Sequence, residues 1–175
     1  MEKKRLPAKI DVLDLFCGDG KRILQLAKRH PDKVFVGVDK HRTMDKRKLP
    51  PNVHFVQSDV LEFLRSRKRG GTVRHINADF GVGFLRPEDR PQFYWQVKTL
   101  LIPKGRFTIS AYDERTNAPS DLVHYEVKES GFNLDKRERI DIRSIIRPGS
   151  TISTFGFSVG GITKSCATRL RFRKK

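Results

Sequence analysis

Residues 11–20, DVLDLFCGDG, hold the joint around which the rest of the chain can be laid out. Val12, Leu13, Leu15 and Phe16 form a short apolar run interrupted by Asp11 and Asp14, the pattern of a buried strand. Gly18-Asp19-Gly20 stops that pattern. In the next stretch, KRILQLAKRH, Ile23, Leu24, Leu26 and Ala27 fall at helical spacing, with Lys21, Lys28 and Arg29 outside. The chain therefore runs strand, glycine turn, helix. Glycines at such a joint let a ligand approach backbone that a Cβ would shield. The helix start behind them offers N–H groups and positive potential. A tight turn that binds nothing satisfies the same residues, so this stretch alone leaves both readings open.

Outward from the joint, strands and helices alternate. KVFVGVD (33–39) is a second strand, HRTMDKRKLPPN a short helix or loop, and VHFVQSD (53–59) a third strand. VLEFLRSRKR is a helix broken by Gly70-Gly71, and TVRHINADF (72–80) is the fourth strand. Residues 88–101 form an amphipathic helix that buries Phe93, Tyr94, Val97, Leu100 and Leu101. Pro103 and Gly105 turn the chain into RFTISAY (106–112), strand five, and DLVHYEVKESGF is a helix ended by Gly131. Two late strands, roughly 133–142 and 164–173, are joined by a Gly/Ser-rich segment. This alternation predicts an α/β, doubly wound domain spanning 1–175, with a mostly parallel sheet and helices on both faces. No helix separates the last two strands, so one of them is expected to run antiparallel as a hairpin edge. Residues 1–7 read as a basic arm, and no cover helices are expected ahead of strand one.

Lys and Arg number 37 against 20 Asp and Glu, a formal charge of +17 on 175 residues. Such an excess attracts polyanions, nucleic acid first. Two cysteines, Cys17 and Cys166, are too few for a disulfide framework, and no CxxC pair suggests zinc. The start, MEKKRLPAKI, lacks the apolar core of a signal peptide, and no run is long enough to span a bilayer. A soluble, cytoplasmic protein is expected.

In an open parallel sheet, ligands sit beyond the carboxyl ends of the strands. Strand two ends there in Asp39, followed by Lys40, and an acid at that position can accept from both hydroxyls of a ribose. Strand three delivers Asp59 and Val60, a carboxylate for an exocyclic amine and an apolar wall for a base; Asp59 is also a good helix cap. A dinucleotide site would want a third glycine where Ile23 stands. Asp19 in the turn is poor for phosphates and suited to a cationic ligand.

VLDLFCGDG, VGVDK and VQSDV, in this order and spacing, resemble the first three motifs of the class I S-adenosylmethionine-dependent methyltransferases. The resemblance implies a Rossmann-like, seven-stranded sheet ending in an antiparallel hairpin, with S-adenosyl-L-methionine as cofactor. It implies that Asp14, Phe16, Cys17, Gly18, Asp19 and Gly20 line the methionine and ribose side. Asp39 and Lys40 would meet the ribose, and Asp59 and Val60 the adenine. By the same resemblance, Asn77 to Phe80 occupy the family's substrate-contacting position. Enzymes that methylate an exocyclic amine carry Asn/Asp-Pro-Pro-aromatic there; here Asn77 and Phe80 match its ends, and Ala78 and Asp79 replace the prolines.

Asn77, Asp79 and Phe80 are therefore the candidate catalytic residues. An amide oxygen or carboxylate can accept from a target amine, and an aromatic face can stack a flipped base. Asp79 is the first choice of base, with Tyr112 and Asp113 behind it. Neither cysteine sits where a carbon-methylating nucleophile would be needed. Basic clusters at 40–48, 65–69 and 171–175 point to RNA, tRNA or rRNA, as partner and substrate. In the last strand Arg169, Arg171 and Arg173 share one face, which suits a phosphate-facing edge. Two alternatives stay open: a non-catalytic RNA-binding subunit on the same fold, and a methyltransferase of a small molecule or protein.

Overall fold

The computed structural model describes residues 6–41, 49–67, 70–112, 119–141 and 166–174. Seven strands form one sheet: β1 (Ile10–Leu15), β2 (Phe35–Asp39), β3 (Val53–Gln57), β4 (Val73–Asp79), β5 (Leu101–Tyr112), β6 (Phe132–Asp141) and β7 (Cys166–Lys174). Four α-helices accompany them: α1 (Lys21–Arg29), α2 (Val60–Ser66), α3 (Arg90–Leu100) and α4 (Ser120–Glu129). The strand order is β3-β2-β1-β4-β5-β7-β6. The pairings from β3 through β5 are parallel, and β7 runs antiparallel to both neighbours.

The two faces of this sheet differ in chemistry. One face presents Leu13 and Leu15 of β1, Ile76 and Ala78 of β4, Phe107 and Ile109 of β5, and Leu170 and Phe172 of β7, all fully buried. They join residues of α2, α3 and α4 in the main core. Phe107 is its centre, within 6.5 Å (ring centroids) of Phe93, Tyr94, Phe132 and Phe172. On the opposite face α1 lies on β1–β3, where Ile23 and Ala27 meet Phe35, Val53 and Phe55 in a second, smaller cluster. Beyond α1 that face turns polar.

Three expectations are corrected. β7 is not an edge: it lies between β5 and β6, so its arginines project from a sheet face and the edge is β6. β5 begins at Leu101 rather than 106, because Leu101 already pairs with Val73 and the Pro103–Gly105 stretch is an irregularity within the strand. The register passes from Val73↔Leu101 to His75↔Arg106, with Lys104 at φ 60°. Helix α2 stops at Ser66, where the expected helix ran to 69: Arg67 caps it, and Ser66 Oγ turns back to the Phe63 carbonyl. Among the described residues no helix is long and apolar enough to cross a membrane. Residues 143–163, Asp113, and most of the 40–48 basic cluster lie outside the described residues.

Candidate functional site

The glycine turn is held by β2. Gly18 (φ 54°) and Gly20 (φ 67°) adopt left-handed backbone, where a side chain is strained. Asp39 binds the turn directly: its Oδ2 accepts from the Gly18 N–H at 2.9 Å and its Oδ1 from the His41 N–H at 2.9 Å. The Cys17 N–H donates to the Val38 carbonyl. The ends of β1 and β2 are thus fixed to each other before any ligand arrives, and Asp39 keeps further lone pairs for hydroxyl donors. Asp19 accepts from the Lys21 N–H and pairs with the Lys21 ammonium at 2.8 Å. Lys40 is exposed.

At the end of β3, Asp59 Oδ1 accepts from the N–H groups of Leu61 and Glu62, so it caps α2 as its sequence position suggests. Its exposed side chain lies beside the turn's edge of the sheet. Val60 is buried at 3% exposure, within the main core. Phe16 follows β1. It sits at φ 58°, and its ring turns inward against Phe93 and over Gly81. A Cβ on Gly81 would lie 1.9 Å from that ring, so Gly81 is the space Phe16 fills. What Phe16 offers the turn is its backbone.

β4 ends beside β1, with Asn77 paired to Asp14 in the register. Both are buried, and the Asn77 amide donates to Asp14 Oδ1 at 2.6 Å. Burial raises the Asp14 carboxyl above its ordinary range, and Arg22 and the Asn77 bond pull it back only in part. Asn77 Oδ1 has no hydrogen-bond partner. A buried amide oxygen left bare is costly unless something else supplies a donor there. Next along β4, Asp79 is clasped. Arg22 of α1 and Arg169 of β7 pair with its Oδ2, and the Ser110 hydroxyl donates to its Oδ1. A carboxylate held by two guanidiniums and a hydroxyl is disposed to organise its neighbours rather than to accept a proton. Phe80 follows at φ 58°, its N–H donating to the Ser110 carbonyl. Phe16 and Phe80 are two of the three non-glycine residues with positive φ among the described residues, and they end the two central strands side by side. Such strain gathers where function over-determines the backbone.

Burial, with Asp14 and Asp39 nearby, pushes the Cys17 thiol up, which disfavours its thiolate. Among the described residues no group of His, Cys, Asp and Glu could hold a metal. What sequence reasoning missed is Arg22, Ser110 and the pairing of Arg169 with Asp79. Their signal was the alternation of β5 and β7, which places Ser110 and Arg169 on the Asp79 face.

A cationic nucleoside fits this donor set. Acids end β1, β2 and β3, a glycine turn is open to close approach, and a buried amide oxygen lacks a donor. Strand order, antiparallel β7 and the braced turn define the Rossmann-like α/β methyltransferase fold.

Comparison with known proteins agrees. Residues 12–105 match the family described as methyltransferase domain, and the chain belongs to that family. A trans-aconitate 2-methyltransferase of Yersinia pseudotuberculosis serotype O:1b is 28% identical over 122 residues, 69% of this chain and 45% of the relative. The chain thus spans under half the length of the curated relatives it matches. Among solved structures, a 1,6-didemethyltoxoflavin-N1-methyltransferase of Burkholderia thailandensis, with bound S-adenosylhomocysteine, aligns at TM-score 0.70 and 16% identity, covering 95% of this chain and 72% of the other. A 16S rRNA (adenine(1408)-N(1))-methyltransferase from Catenulisporales acidiphilia aligns at TM-score 0.63 and 15% identity, covering 95% and 86%.

Proposed function

We propose that this chain is an S-adenosylmethionine-dependent methyltransferase and that its acceptor is a nucleotide of structured RNA. The observation that carries the cofactor reading is the Gly18–Asp39 brace, with an unpartnered Asn77 oxygen at the neighbouring strand end. The cofactor supplies a methyl group already activated on a sulfonium. The protein's task is then to hold donor and acceptor in line and keep water out. Asp39 accepts from the ribose hydroxyls. The turn from Cys17 to Gly20 gives backbone contacts on the methionine side, with Asp14 and Asp19 favouring a cation there. Asp59, while capping α2, keeps one oxygen for the adenine side. Asn77 Oδ1 accepts an N–H at the reacting end, and Phe80 lies beside it. Asp79 acts through Arg22, Ser110 and Arg169 as a positioning residue.

The charge of +17 supports RNA as acceptor. The experiment is transfer of labelled methyl from S-adenosylmethionine to a pool of unmodified tRNA and rRNA, with a ribonuclease control. Ribonuclease-sensitive label is the expected result. A second reading is favoured by the curated relatives, whose names specify an organic acid acceptor. Arg22 and Arg169 at the strand ends could equally receive a carboxylate. Label entering trans-aconitate, and none entering RNA, would replace the first reading with this one.

A further inference from the structure

Past α1, the polar side chains of the sheet stand in register rows. Val12, His75, Arg106 and Arg173 form one row; Asp14, Asn77, Thr108 and Arg171 the next; Asp79, Ser110 and Arg169 the one nearest the strand ends. Arg106 is exposed, and the side chains of Arg171 and Arg173 are 41% and 46% exposed. Two acids of edge strand β6 reach this row: Glu138 pairs with Arg171 and Asp135 with Arg173. Among the described residues Arg106 has no acidic partner. The acids do not neutralise the field. His75, bonded to Thr108 at 2.8 Å, is pushed down to about 4 by burial and by Arg22, Arg106 and Arg171. Burial first, and then neighbouring arginines including Arg171, hold Arg22 and Arg169 below the usual guanidinium range. Arginines gathered closely enough to disfavour one another's charge destabilise the bare fold, and a bound anion relieves that cost.

We propose that this face is a track for the phosphodiester backbone of the RNA, leading from Arg106 and Arg173 to Arg169 at the reacting end. The proposal rests on the RNA reading above. Alternate residues of a strand lie about 7 Å apart, close to the step between consecutive phosphates of an extended strand. A guanidinium has five donors in a fixed fork, so Glu138 and Asp135 can hold Arg171 and Arg173 upright and still leave donors for phosphate oxygens. Guanidiniums that meet phosphate oxygens position RNA without reading its sequence.

The test measures binding of transcribed, unmodified tRNA by fluorescence anisotropy across a salt series. It compares wild type with the triple variant Arg106→Gln/Arg171→Gln/Arg173→Gln. A charge-matched control triple carries Lys28→Gln, Arg29→Gln and Lys128→Gln, all exposed and away from this face. Calorimetry with S-adenosylmethionine checks that each variant keeps its cofactor site. The face triple is expected to lose at least ~30-fold in affinity and about 2 from the slope of log affinity against log salt, as three lost phosphate contacts require. The control triple should lose less than about threefold. Equal losses in both triples overturn the track, because charge alone would then explain binding. An unchanged face triple, with tight wild-type binding, overturns the track and leaves the RNA reading standing. Absence of wild-type binding overturns both. If the face triple fails to fold, Arg106→Glu alone replaces it, with ~tenfold weaker tRNA binding expected and an unchanged affinity overturning the proposal.

Discussion

On the α1 side of the sheet, two halves share one backbone architecture and opposite chemistry. Over β1–β3 the face is apolar, covered by α1, and acids appear only at the strand ends. Over β4, β5 and β7 the same face carries His75, Asn77, Asp79, Thr108, Ser110 and four arginines along its length. The reverse side packs the main apolar core in both halves. So the fold draws its core from one face and from part of the other, and the remaining part is polar. The seam between the halves is the β1–β4 pairing, where Asp14 meets Asn77 and the bare amide oxygen lies.

The contrast is sharpest between neighbours in β5. Phe107 points into the aromatic core and Thr108 into the polar face. Phe107→Ala should destabilise the fold by about 3–5 kcal/mol in urea denaturation, while Thr108→Ala, which removes the His75 bond, should cost only about 1 kcal/mol. Similar losses at the two positions would mean that the polar face is as structural as the core.

The cofactor half is probed by Asp39→Ala, which removes both the turn's brace and the candidate hydroxyl acceptor. Calorimetry should show S-adenosylmethionine affinity reduced by about a hundredfold, near 2.7 kcal/mol. A loss under threefold would detach β2 from the cofactor seat. At the seam, Gly81→Ala sets a methyl against the Phe16 ring. Thermal or urea unfolding should register a loss of about 2 kcal/mol, the scale of overpacking. Full stability would show that the Phe16 ring is not lodged there.

The polar half is also probed by acid. His75 titrates near 4 in the fold, below its ordinary 6.5. Below pH 6.5 the unfolded chain binds a proton that the folded chain does not. Stability from His75 is therefore full above pH 6.5, falls as pH drops toward about 4, and is flat below. The loss across that window should be roughly 3 kcal/mol, read as the difference between wild type and His75→Gln in urea midpoints. The raised carboxyl of Asp14 gives the opposite slope in both proteins and cancels in that difference. Parallel pH curves for the two proteins would place His75 in open water.

The cofactor half was legible in the sequence because its signals are local. A strand, a glycine turn and a helix, then one acid at each following strand end, can be read from spacing alone. The helical periods and the buried side of α3 were legible for the same reason. What escaped depends on partners far along the chain. The inward ring of Phe16 depends on Gly81 and Phe93, and the burial of Val60 on packing against the main core. Asp79 looked available as a base because Arg22 and Arg169, the residues that clasp it, come from α1 and β7. The interior position of β7 also could not be read locally. An antiparallel strand at the end of a chain fits at the edge or one place in, and the long β6–β7 connection permits either. The arginine alternation in β7 was visible, while its alignment with Thr108, Ser110 and His75 needed the register.

The most direct test of this division of labour is hydrogen–deuterium exchange with and without S-adenosylmethionine. Cofactor should slow exchange in the segments holding Leu15–Gly20, Asp39–His41 and Ser58–Leu61, and leave β7 and the outer half of β5 unchanged. Saturating cofactor with no protection in those three segments, or protection confined to β5 and β7, would contradict the account.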